Sequence, residues 1–190
     1  MKRSLFSVIA VAISLVAAPA VLFAQGTNLF QDSTPVRIDA NSMVVEIQKQ
    51  PPKEYPHVGY RAPIPFEEAV NLWAKSHFEL TGAGENTLRI TVREADIVEK
   101  QLPVKKGIAG WFRKDQSAEY LATLDISVML VDVNGRQQGS AETNARHSTT
   151  VPEGTTDAEK QAVWMEMIKR VFANLDRELQ PRIRQTLVRN

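Results

Sequence analysis

Cysteine is absent from all 190 residues, and that absence alone closes several routes. No disulfide can staple the fold, no thiolate can act as a nucleophile, and no thiol is present for acylation behind an export signal. Stability must come from an apolar core, for which one ordinary domain of this length is sufficient. An excess of one charge sign is also lacking: 23 basic residues face 22 acidic ones, a net charge of +1. No basic stripe marks a nucleic-acid partner. The motifs that cradle phosphates or dinucleotides are missing, as are HExxH and the nucleophile elbow, so no cofactor and no metal are expected. Internal repeats and low-complexity stretches are missing too.

What is present begins with Lys2-Arg3, an uncharged apolar run from Leu5 to Phe23, and small residues at Ala18, Ala20 and Ala24. This is the layout of a secretory leader, expected over residues 1–24. Cleavage after Ala20 places small residues at both recognition positions, cleavage after Ala24 leaves Leu22 at one of them, and an uncleaved anchor is the third alternative. Loss of Lys2 and Arg3 leaves 21 basic against 22 acidic residues, a net charge of −1. A periplasmic location follows as the expectation. Residues 25–35 read as a polar linker, and 36–190 as one domain.

Within that domain, Val36, Ile38 and Ala40 share one phase and Met43, Val45 and Ile47 the other, which predicts a strand bent near Asn41-Ser42. The next stretch holds Pro51, Pro52, Pro56, Pro63 and Pro65, a stiff surface connection. Its Tyr55, His57 and Tyr60 suit a binding rim, though tyrosines lying against the body of the domain are the commoner arrangement. A helix is expected from Pro65 to Leu80, with Glu67 and Glu68 in its first turn and Gly82 past its end. Phe66, Ala69, Val70, Trp73, His77 and Leu80 form its apolar stripe, and His77 reads as structural because no second ligand stands at helical spacing. From Asn86 the pattern alternates again, with a phase slip between Val92 and Ala95 that predicts a bulge.

Two period-2 runs flank Asn134-Gly135, a strong hairpin signal. A two-residue turn pairs Val133 with Arg136 and fixes every later pair. Leu130 falls opposite Gly139, Val128 opposite Ala141, Ile126 opposite Thr143 and Leu124 opposite Ala145 on a core face; Ser127/Glu142, Asp125/Asn144 and Thr123/Arg146 make a wet one. The small residues of the second strand leave room for a close helix. Thr156 to Glu159 spell a capping box for a last helix, in which Pro181 predicts a kink or break. The paired acids Glu67-Glu68, Glu94-Asp96 and Glu153-Asp157 read as surface or helix-end groups.

One segment outside the core invites a partner. Lys105, Lys106, Arg113 and Lys114 surround Ile108, Trp111 and Phe112, a combination suited to an anionic lipid surface or an acidic protein. Gly110-Trp111-Phe112, the hairpin and the run TVPEG at 150–154 resemble a recurring uncharacterised bacterial exported protein. The order β-α-β-β-β-α resembles that of small envelope-transport auxiliary lipoproteins, of the lipopolysaccharide-assembly and ABC-transport auxiliary types. Those families carry a lipidated Cys that this chain lacks. The expected fold is therefore an α+β two-layer sandwich, an approximately four-stranded, mostly antiparallel sheet with two helices on one face. The expected function is a non-catalytic periplasmic module contacting an envelope protein or lipid through Lys105, Lys106, Trp111, Phe112, Arg113 and Lys114. A hydrolase using a carboxylate pair, or a structural domain held by its leader, are the alternatives.

Overall fold

The computed structural model describes residues 29–30, 34–82, 84–103 and 116–188. Strands β1 (Val36–Ile38), β2 (Ser42–Ile47), β3 (Phe78–Leu80), β4 (Thr87–Gln101), β5 (Gln116–Val131) and β6 (Gln137–Pro152) combine with helices α1 (Phe66–His77) and α2 (Asp157–Thr186). The main sheet has the order β2-β4-β5-β6, with β2 parallel to β4 and the other neighbours antiparallel; β1 and β3 form a separate parallel pair. Both helices cover one face, where Leu88, Ile90, Val92, Leu124, Ile126 and Val128 meet Val70, Trp73, Ile168 and Phe172 in one buried core. The α+β sandwich is thus as the residue pattern implies.

The expected bend at Asn41-Ser42 proves to be a change of sheet, because the chain pairs with β3 before it and with β4 after it. Helix α1 ends at His77, three residues short of Leu80. Phe78 is extended, with φ −124° and ψ 128°. Phe78 and Leu80 satisfy both a helical and a period-2 pattern, and pairing with β1 decides for strand.

Helix α2 runs for 30 residues and continues through Pro181, so of the kink or break expected there the break does not occur. Pro181 lies on the exposed side, where the carbonyl it leaves unbonded can meet water, while Leu179, Ile183 and Leu187 stay buried and hold the last turns to the core. The Thr156 and Glu159 capping box is formed as expected.

The β5–β6 register is the anticipated one from Leu130/Gly139 to Ala118/Val151, yet the turn differs. Only Gly135 takes positive φ (74°), and Asp132 accepts from the N–H groups of Asn134 and Arg136 at 2.8 and 2.9 Å. The loop is therefore one residue longer than a two-residue turn, and a bulge between Leu130 and Val131 restores the phase. Two deviations cancel. Gly139 is indispensable here, since a Cβ on it would stand 2.3 Å from the carbonyl oxygen of Thr186 in α2.

Candidate functional site

Strand β4 is longer than its partner β2, so its outer edge needs a second neighbour. β2 pairs with Thr87 to Val92; the ladder then slips at Arg93, between Val92 and Glu94. The proline-rich connection returns to fill the remainder. Val58 N–H donates to Ile97 O at 2.8 Å and Glu99 N–H to Pro56 O at 2.8 Å, with His57 bridging to Val98. Gly59 allows this close crossing, because a Cβ there would come within 3.1 Å of both Asp96 Oδ1 and Ile97 N.

Between these two partners the edge of β4 is interrupted, and two adjoining cavities of about 320 Å³ each open there. The first is lined by Ile47, Ala95, Pro65 and Phe66 on its apolar side and by Lys49, Lys53, Glu67 and Tyr60 at its mouth. The second, sharing Lys49, Pro51 and Ala95 with the first, adds His57, Arg93, Glu94 and Asp96. A volume near 300 Å³ is at the small end of ligand pockets.

Asp96, expected at the surface, is buried, and its burial is compensated by two donors. Ile97 N–H donates to Oδ1 at 2.8 Å, and the Nδ1 of half-buried His57 donates to Oδ2. With Nδ1 donating, the neutral ring presents Nε2 as an acceptor. Sequence reasoning missed this pair because its members stand 39 positions apart and neither belongs to a motif. Glu94 remains exposed, so the Glu94-Asp96 pair consists of one solvated acid and one engaged acid.

Arg93 has a different employment. On the sheet face opposite α1 and α2, its Nε and one terminal nitrogen donate to Asp125 Oδ1 at 2.9 and 2.7 Å, and the other terminal nitrogen to Glu142 Oε2 at 2.7 Å. These bonds, Asp125 first and Glu142 second, raise the Arg93 pKa. Lys49 and Lys53, in contrast, form no ion pair among the described residues. Tyr55 is 61% exposed and stands largely clear of the domain, whereas Tyr60, 44% exposed, lies more than half covered at the wall of the first cavity.

His77 is buried against α2. Its Nε2 donates to Asp176 Oδ2 at 3.0 Å while Trp73 Nε1 donates to Oδ1 of the same carboxylate at 2.8 Å. One acid of α2 thereby joins two residues of α1. Leu29 and Phe30, inside the segment read as a linker, pack on this layer; the Phe30 ring lies 4.9 Å from that of Phe172 and 6.0 Å from His77.

Lys105, Lys106, Trp111, Phe112, Arg113 and Lys114, the contact residues expected from the sequence, lie outside the described residues, as does the leader. No group of three or more metal-ligating side chains occurs among the described residues. Among them no helix is long and apolar enough to cross a membrane.

No family model matches the chain, and no curated protein matches it in sequence. Among solved structures it is similar to a minor lipoprotein from Acinetobacter baumannii, with 16% identity, a TM-score of 0.39, and coverage of 79% of this chain and 96% of that one. It is also similar to rare lipoprotein B from Shewanella oneidensis, at 14% identity and a TM-score of 0.38 over 74% and 92% of the two chains. A protein from Xanthomonas campestris follows at 12% identity and 0.34, over 78% and 86%. Two of the three bear the name lipoprotein.

Proposed function

We propose that this chain is an exported, non-catalytic binding or assembly module of the bacterial envelope that contacts an envelope protein or lipid. The observation that carries the reading is the groove at the interruption of the β4 edge. There an apolar lining, an exposed Tyr60 and two lysines without ion-pair partners among the described residues stand together. Such a combination suits a partner with an apolar body and a negative tip. The Lys105 to Lys114 segment is a second contact surface in this proposal, and the leader-like residues 1–24 supply the route to the periplasm.

The test is recovery of partners from envelope extracts, together with flotation on anionic vesicles, by the wild type, by Lys49→Ala/Lys53→Ala/Tyr60→Ser and by Trp111→Ala/Phe112→Ala. A several-fold loss with the first variant supports the groove, and a loss with the second supports the segment. Equal recovery by all three proteins sinks both surfaces. A hydrolase acting through the His57–Asp96 pair, and not through the two carboxylates expected from the sequence, is the second reading; hydrolysis of an ester panel that disappears in His57→Gln is the result that would install it.

A further inference from the structure

The two outer edges of the main sheet are treated differently by the fold. Along β6 two of the backbone carbonyls accept from side chains of α2: Arg182 donates to Glu142 O at 2.7 Å and Asn174 to Arg146 O at 2.9 Å. Guarding an edge in this way prevents another strand from adding to it. Along β2 no such guard exists among the described residues. Gln48 N–H donates to Val92 O, so the even-numbered residues of β2 face β4, and Met43, Val45 and Ile47 turn their N–H and C=O groups outward. Among the described residues no side chain bonds to these groups. Val44, 42% exposed, stands on the open face of the same strand, and Met43, Val45 and Ile47 are only partly covered on the other.

The geometry points to a second copy of this chain as the occupant: we propose that β2 pairs antiparallel with β2 of another copy about a dyad at Val45. In this register Met43 lies opposite Ile47 of the second copy, Val45 opposite its own counterpart, and Ile47 opposite Met43. Three pairs exchanging two bonds each give six hydrogen bonds and use every outward group of the strand. Apolar side chains meet apolar ones on the helix-covered side. On the other side Glu46, ion-paired with Arg89 in its own chain, meets Val44. Like charges are never directly opposed.

The ends of the strand add charge complementarity. Lys49 of the second copy arrives opposite Asn41, two positions from Asp39, whose carboxylate accepts from Thr81 and forms no ion pair among the described residues. The two four-stranded sheets become one of eight strands. A junction this small lies at the weak end of specific interfaces, so the dimer is concentration-dependent.

The zero cysteine count makes the test clean. Full-length Val45→Cys and Val44→Cys proteins are oxidised at increasing concentration and run without reductant. The proposed register brings the two Val45 positions to the separation of a hydrogen-bonded pair, within disulfide reach, and leaves the two Val44 positions on a diagonal beyond it. At least a tenfold preference for crosslinking at position 45 is expected. The wild type is further expected to shift from the mass of one chain to that of two by light scattering as concentration rises. Val45→Pro removes an outward donor that the single chain does not use and stays at one chain. A wild type that is monomeric throughout, crosslinking at 44 equal to that at 45, or a dimer that survives Val45→Pro with an unchanged circular dichroism spectrum would overturn the pairing.

Discussion

At the scale of single residues, two buried donors have no acceptor among the described residues: the Tyr120 hydroxyl and the Trp164 indole N–H. Their rings meet edge to face at 5.7 Å, and the Arg61 guanidinium covers Trp164 at 5.4 Å. Burial, with Glu99 adding to it, pushes the Tyr120 pKa up to about 12. A phenol whose folded pKa exceeds its unfolded value of about 10 releases its proton first in the unfolded chain, so stability holds below pH 10 and falls between 10 and 12. The loss at pH 11 is about 1.4 kcal/mol. Denaturant midpoints at pH 9 and pH 11 should show this drop in the wild type and its absence in Tyr120→Phe, which should equal or exceed the wild type at pH 7 because it deletes an unbonded hydroxyl. Gly139 supplies the opposite case. Gly139→Ala must drive the last turn of α2 away from β6, and a loss of about 2–3 kcal/mol is expected by urea denaturation.

At the scale of elements, the helix layer is tied together by Asp176. Asp176→Ala leaves Trp73 Nε1 and His77 Nε2 buried without acceptors, and a loss of about 3 kcal/mol is expected, read from thermal melting. The guard on β6 is a separate device whose removal should be felt in association more than in stability. In a Val45→Pro background, Arg182→Ala/Asn174→Ala should cost about 1–2 kcal/mol and yield larger species by light scattering, because the β6 edge is then open. Most elements were legible in the sequence because each carried one dominant period or a cap. The hairpin register and the β4 bulge followed from alternation, and the α2 start from its capping box. Misreadings fell where two patterns overlapped. Phe78 and Leu80 suit helix and strand alike, and Asn134-Gly135 suits both a two-residue turn and the three-residue loop that Asp132 closes. Pro181 does not break α2 because packing on both sides of it holds the helix.

At the scale of the whole molecule, the candidate groove was nearly illegible in the sequence. It arises where β2 stops, β4 slips and the proline-rich connection returns, an arrangement of three segments that no local pattern announces. The prolines promised a stiff excursion, and Tyr60 a rim, but nothing said that Asp96 would be buried under His57. That pair should pin the return of the connection: His57→Ala leaves Asp96 Oδ2 without its side-chain donor, and faster amide exchange at Val58 and Glu99 is the expected readout.

The packing of Phe30 on Phe172 has a temporal side. A chain synthesised from its amino end delivers Phe30 long before Phe172, which belongs to α2. The β5–β6 hairpin can close on its own once both strands have emerged, since its contacts are local. The helix layer cannot, because α2 supplies half of it and comes last. Until then the part of the apolar face formed by β5 and β6, against which α2 packs, is uncovered, and a chain shortened before Asp157 would expose that part permanently and be a target for aggregation and proteolysis.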